Sequence, residues 1–202
     1  YEIASCLVGS EMCIRDRRVA ALWKSQYGQD VDGVIGIDPV FLQYLLGLVG
    51  NVSLPDGTVV DGTNAAKVLT HDVYWNYPVE ESDGIFASVA SAAFDKILGG
   101  IGDVDVTKLV SAVERGAEEG RLIAWMRNDD EQNAIKETGI DASLPNPDDP
   151  SADPVAGVYF NNLSFSKLDW YLNADTQIGQ GIKNGDGTCS YRITVTLTNI
   201  MT

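Results

Sequence analysis

Histidine is nearly missing from this chain: His71 is the only one in 202 residues. Three cysteines, Cys6, Cys13 and Cys189, are the whole thiol complement. So small a set gives no support for a Cys/His metal cluster or a Cys–His nucleophile pair. Basic residues are scarce as well. Fourteen Lys and Arg stand against 29 Asp and Glu, a formal net charge of −15. Phosphate binding needs clustered cations that release counterions, yet Lys67 is the only basic side chain between Lys24 and Lys96. Nucleic acid and an anionic membrane surface are therefore disfavoured as partners. No apolar run approaches the roughly 18 residues of a membrane span. The acidic excess is expected to form a solvated surface.

What is present is an ordinary globular composition, 45% hydrophobic and 21% charged. Residues Ser5 to Arg17 (SCLVGSEMCIRDR) stand apart. The string resembles the conceptual translation of a sequencing adapter. It has no basic leader, no long apolar stretch and no small-residue cleavage site, so it does not read as a signal peptide. We therefore set residues 1–17 aside as non-native. Cys6 and Cys13 go with them, leaving Cys189, which in a strand-like run is expected to be a small buried hydrophobe.

Beyond this segment, hydrophobic spacing and stop signals mark the elements. Arg18 to Gln29 carries Val19, Leu22, Trp23 and Tyr27 at helical spacing. Asp32 to Ile37 reads as a short strand, and Asp38-Pro39 supplies an N-cap and first helical residue for a helix through Leu46. Asn51 to Leu54 is a second strand, closed by a Pro55-Asp56-Gly57 turn. Helices are expected over Thr63 to Trp75, over Ser82 to Leu98 with Ser82 as N-cap, and over Val106 to Glu119. Arg121 to Met126 is strand-like, and Asp129 to Thr138 is a helix stopped by Gly139.

The stretch from Asp141 to Pro154 holds four prolines and four aspartates, and reads as a linker or exposed loop. It lacks the alternating Asp/Asn spacing and turn glycine of a calcium loop. After it the period changes to that of strands, at Val155 to Asn161, Ser166 to Thr176 and Tyr191 to Asn199, with a turn at Asn184-Gly185-Asp186-Gly187. The expected fold class is α/β (or α+β): a partial mixed sheet flanked by helices, followed by the start of a β-rich module. The domains so read are 18–140, the C-terminal part of an α/β domain; 141–154, the linker or loop; and 155–202, a truncated β-rich module. The whole reads as a fragment cut at both ends.

Few residues carry chemistry. Asp32 and Asp38, six apart across a strand, form a candidate carboxylate pair for acid–base work, although Asp38 already serves as an N-cap. His71 and Asp72 sit beside Tyr74, Trp75 and Tyr77; the histidine reads as packed or superficial rather than as a base, and the aromatics as packing or a platform for a sugar ring. Lys167 and Asp169 read as a cross-strand ion pair. Gly33 and Gly36 do not have phosphate-loop spacing. Candidate binding residues are thus Asp32, Asp38, His71, Asp72, Tyr74, Lys167 and Asp169, with no catalytic residue, metal ligand or cofactor assigned.

Six blocks in order carry a resemblance: VDGVIGIDP (Val31–Pro39), DGTNAAKVL (Asp61–Leu69), EEGRLIAW (Glu118–Trp125), DDEQ (Asp129–Gln132), GVYFNNLSFSKLDWYL (Gly157–Leu172) and YRITVTLTN (Tyr191–Asn199). Together they resemble the domain-of-unknown-function family numbered 4012, found in envelope-associated proteins of Gram-positive bacteria. The resemblance implies an extracytoplasmic domain anchored by an upstream transmembrane helix, with no assigned reaction. Partners so implied are a cell-wall polymer or another envelope protein.

The order strand, Asp-Pro, apolar helix and Gly50 to Leu54 is also similar to the LytR–CpsA–Psr family. Those enzymes transfer glycopolymers from polyprenyl-pyrophosphate carriers, with arginines and carboxylate-held Mg²⁺ on the pyrophosphate. The matching region here, Asp61 to Ile97, contains no arginine. The expected function is a non-catalytic envelope module for binding or scaffolding. A divergent transferase, the only reading that calls for Mg²⁺, and a structural spacer are the alternatives.

Overall fold

The computed structural model describes residues 11–54, 56–141, 158, 160 and 168–201. The chain divides into two compact units, Tyr1–Asp153 and Pro154–Thr202. Helices and short sheets are mixed, the expected class. Among the described residues every sheet is a two-stranded antiparallel pair, where the sequence reading had a partial mixed sheet.

In the first unit, helix α1 covers Glu11–Tyr27, longer at its start than expected. Its opening turns fall in the segment set aside, and Asp16 and Ala20 are buried. Strand β1, Gly33–Ile37, follows. Asp38 then caps helix α2, Pro39–Val49, accepting from the Phe41 N–H at 2.8 Å, with proline at the helix start as the pattern requires. Strands β2, Val52–Ser53, and β3, Val59–Val60, form a tight hairpin.

The next helical stretch is composite. Helix α3, Ala65–Lys67, runs into a π-helical turn, Val68–Asp72, and then α4, Val73–Asn76. The Val73 N–H donates to the Val68 carbonyl, five residues back. Val68 and Val73, joined by that bond, are both buried in the core. Helix α5, Val79–Gly100, starts before the expected N-cap. The Ser82 hydroxyl donates back to the Pro78 carbonyl at 3.2 Å, so Ser82 is a first-turn residue and not the cap. Helix α6, Val106–Glu118, is capped by Asp105.

Strand β4, Leu122–Met126, pairs with β1 in the register Gly33↔Met126 to Ile37↔Leu122. Its far edge receives the Ile140 carbonyl at Ala124 N–H, 2.8 Å. Helix α7, Asp129–Thr138, lies between an Asn128 cap and Gly139, whose φ of 74° is the left-handed stop that a β-carbon disfavours.

The core lies between α2, the composite helix, α5 and the β2–β3 hairpin. Leu46, Val60, Val73 and Val89 are fully buried there, with Leu42, Leu54, Ala65 and Ile85 around them. Each such side chain contributes about 1.5–3 kcal/mol of burial.

In the second unit a 3₁₀ turn, Leu168–Tyr171, occupies part of the stretch read as strand from Ser166. Strand β5, Leu172–Ile178, pairs with β8, Ile193–Asn199, and β6, Ile182–Lys183, with β7, Cys189–Ser190. The strands nest as one long hairpin whose tip is the expected turn, with Asn184 N–H donating to the Thr188 carbonyl at 2.8 Å. Cys189 is exposed on this ribbon, not buried as a small hydrophobe. Among the described residues of this unit, no second layer covers the ribbon's side chains. The linker stretch after Asp141, and the strand expected over Val155 to Asn161 apart from Val158 and Phe160, lie outside the described residues.

Candidate functional site

Two polar clusters among the described residues of the first unit involve the candidate residues. One joins the start of α2 to the ends of α6 and β4. Arg121 donates through Nη1 to Asp38 Oδ2 at 2.7 Å and through Nε to Glu119 Oε2 at 2.6 Å. Arg115 donates to Glu119 Oε1 at 2.8 Å and lies 4.2 Å from the centre of the Tyr44 ring, whose hydroxyl donates to Glu119 Oε2 at 2.9 Å. Each cation faces a carboxylate, so the cluster works as a latch between elements distant in sequence.

Its centre is Glu119. Hydrogen bonds from Arg115, then Arg121 and Tyr44, hold the Glu119 carboxyl at about 2. A carboxyl depressed in the folded state adds stability above its unfolded range near 4.5 and loses it as the pH falls through about 2. Glu119→Gln is therefore expected to unfold less steeply with acid than the wild type between pH 5 and 2. The two proteins should converge at the acid end. Superimposable acid titrations of the two, followed by circular dichroism, would remove Glu119 from this role.

The other cluster forms on the π-helical turn, a rare element that is frequent at functional sites. His71 Nδ1 lies 2.7 Å from Asp72 Oδ1, and an ionised carboxylate can only accept, so the ring N–H donates. Lys67 Nζ reaches Asp72 Oδ1 at 2.6 Å and Oδ2 at 2.7 Å. Burial pushes the Asp72 carboxyl up, but the hydrogen bonds from Lys67 and His71 outweigh it and leave the group below the usual carboxylate range.

The aromatics around this turn separate by role. The Tyr74 ring packs on Phe86 at 5.4 Å between centroids. Tyr77 donates its hydroxyl to Asp56 in the hairpin turn. Trp75 differs: it lies nearly parallel to the His71 ring, 7° between planes and 6.1 Å between centroids, and is 77% exposed.

Of the candidate residues, the structure brings His71, Asp72 and Tyr74 to one turn. It does not bring Asp32 and Asp38 together. They stand at opposite ends of β1, about 20 Å apart at ordinary strand rise, and Asp38 is held by the helix cap and Arg121. Asp169 lies in the second unit's 3₁₀ turn, and Lys167 is outside the described residues. The sequence reading missed Lys67 as a partner of Asp72, although a five-residue separation across a helical turn is the available signal. It also missed the Tyr44, Arg115, Glu119 and Arg121 latch, whose link to Asp38 spans 83 residues and leaves no local pattern.

Among the described residues, no group of three or more His, Cys, Asp and Glu side chains is placed to hold a metal ion, and no helix is long and apolar enough to cross a membrane. Neither the curated proteins nor the solved structures contain a match to the chain. Residues 16–74, from α1 through Tyr74 of the aromatic turn, match the model of the family described as Protein of unknown function (DUF4012), the family that the VDGVIGIDP and DGTNAAKVL blocks resemble.

Proposed function

We propose that this chain is a non-catalytic binding module of the cell envelope and that it holds a wall polymer on the face built by the π-helical turn. The observation that carries the reading is Trp75. A large aromatic ring 77% exposed and parallel to an imidazole departs from its neighbours, Tyr74 packed on Phe86 and Tyr77 tied to Asp56. Flat aromatic surface with a few fixed polar groups beside it is the ordinary make-up of a ligand face. Here Asp72, fixed by Lys67 and His71, supplies the polar part. The envelope setting rests on the family resemblance, which also implies the extracytoplasmic location.

The transferase alternative requires cations open to a pyrophosphate. The two arginines that the fold gathers beside α2 already face Glu119 and Asp38, which favours the binding reading.

Co-sedimentation with purified cell-wall material at physiological salt tests the proposal. The wild type should be retained, and Trp75→Ala should lose retention about tenfold, the scale of one aromatic anchor worth ~1.4 kcal/mol. Equal retention of the two proteins, or none for either, would sink it.

A further inference from the structure

We infer that the ligand class of the Trp75 face is an uncharged saccharide and not a phosphate-bearing polymer. This inference rests on the reading of that face as a binding site, and it adds the chemistry of what the face accepts.

Charge decides between the two classes. From Asp61 to Ile97, the stretch that builds the face and its surroundings, six carboxylates (Asp61, Asp72, Glu80, Glu81, Asp83 and Asp95) stand against Lys67 and Lys96. Neither lysine is available to an anion. Lys67 spends its ammonium on both oxygens of Asp72, and Lys96 donates to the Asn51 carbonyl at 2.5 Å. Phosphate recognition relies on unengaged Lys and Arg or on clustered backbone N–H groups. A polyanion approaching Trp75 would meet the field of a chain with net charge −15, with both lysines of this stretch already facing acceptors.

The same groups suit a sugar. A pyranose ring has a C–H face that lies flat on an indole, and the Trp75 ring is open enough to receive one. Sugar hydroxyls donate well to an ionised carboxylate, and Asp72 is kept ionised by its two donors. Asn76, exposed and next in the chain to Trp75, adds an amide that both donates and accepts. None of these contacts needs a charge on the ligand.

Isothermal titration of the full chain against two sets of probes tests the inference. The neutral set is cellohexaose, maltohexaose and chitohexaose; the anionic set is poly(glycerol phosphate) and polygalacturonate. At least one neutral hexasaccharide should bind, ten times or more tighter than either anionic polymer, and about tenfold weaker to Trp75→Ala. Because the side chain is exposed, that variant should keep the wild-type melting temperature. Tighter binding of an anionic polymer that is still weakened by Trp75→Ala would overturn the ligand class and leave the site. No probe weakened by Trp75→Ala would overturn both.

Discussion

Leu46→Ala should lower the unfolding free energy of the first unit by about 2–5 kcal/mol, the range for removing a buried leucine and leaving a cavity. Leu46 is 1% exposed and sits on α2 among Val60, Val73 and Val89, each contributed by a different element. A void there loses contacts with the hairpin, the composite helix and α5 together. None of the three can move in without leaving another, so little collapse is expected and the cost should fall in the upper part of the range. Urea denaturation monitored by circular dichroism reads the change. Leu22→Ala is the control, because that leucine is 66% exposed on α1 and surface substitutions usually stay within about 0.5 kcal/mol. Equal effects from Leu46 and Leu22 would contradict the core described above.

Where a boundary is set by one side chain acting on its own backbone, it was legible. Asp38 with Pro39 announced α2, and the structure shows the cap bond. Gly139 announced the end of α7, and it is left-handed there. Both signals act within four residues. Ser82 shows how the same logic goes astray. Serine is a good cap, but its hydroxyl can also satisfy a carbonyl four residues back, and after Pro78 the helix had already begun. The π-helical turn was illegible for a different reason. Apolar residues at 65, 68, 69 and 73 fit an α-helical stripe with a little slack, so one extra residue in the turn leaves no mark on the pattern.

The candidate site divides along the same line. His71, Asp72, Tyr74 and Trp75 are neighbours in sequence, so their cluster could be named in advance. Which aromatic stays open could not. Tyr74 and Tyr77 are held by Phe86 and Asp56, residues from other elements, and only the packed chain separates them from Trp75. The latch is the extreme case: Asp38 and Arg121 meet because β1 and β4 pair antiparallel, with the Asp38 N–H donating to the Arg121 carbonyl at 3.2 Å. Pairing of distant strands is set by tertiary context and not by any local motif.

The contact between α2 and the start of α3 gives a prediction whose sign depends on direction. A β-carbon on Gly62 would stand 2.8 Å from the Gly47 backbone nitrogen and closer still to its Cα. Backbone atoms cannot rotate away as a side chain can, so one element must shift. Shifting is resisted on both sides. Gln43 of α2 accepts the Ala66 N–H at 3.0 Å, and Asn64 ties the loop by accepting from Asp61 N–H and donating to the Val59 carbonyl, both at 2.9 Å. Gly62→Ala should therefore destabilise by about 1–3 kcal/mol or more, as overpacking does. The reverse substitution meets ordinary contact: a β-carbon on Gly47 would lie 3.7 Å from the Gly62 Cα. Gly47 is also inside a helix, where alanine is favoured over glycine by about 1 kcal/mol, so Gly47→Ala should be neutral or stabilising. Thermal melts of the two variants decide the matter, since a unit of this size moves by roughly 2–4 °C per kcal/mol. Equal losses in both would mean that the two elements do not meet glycine to glycine, and that the close approach of α2 to this loop is wrong.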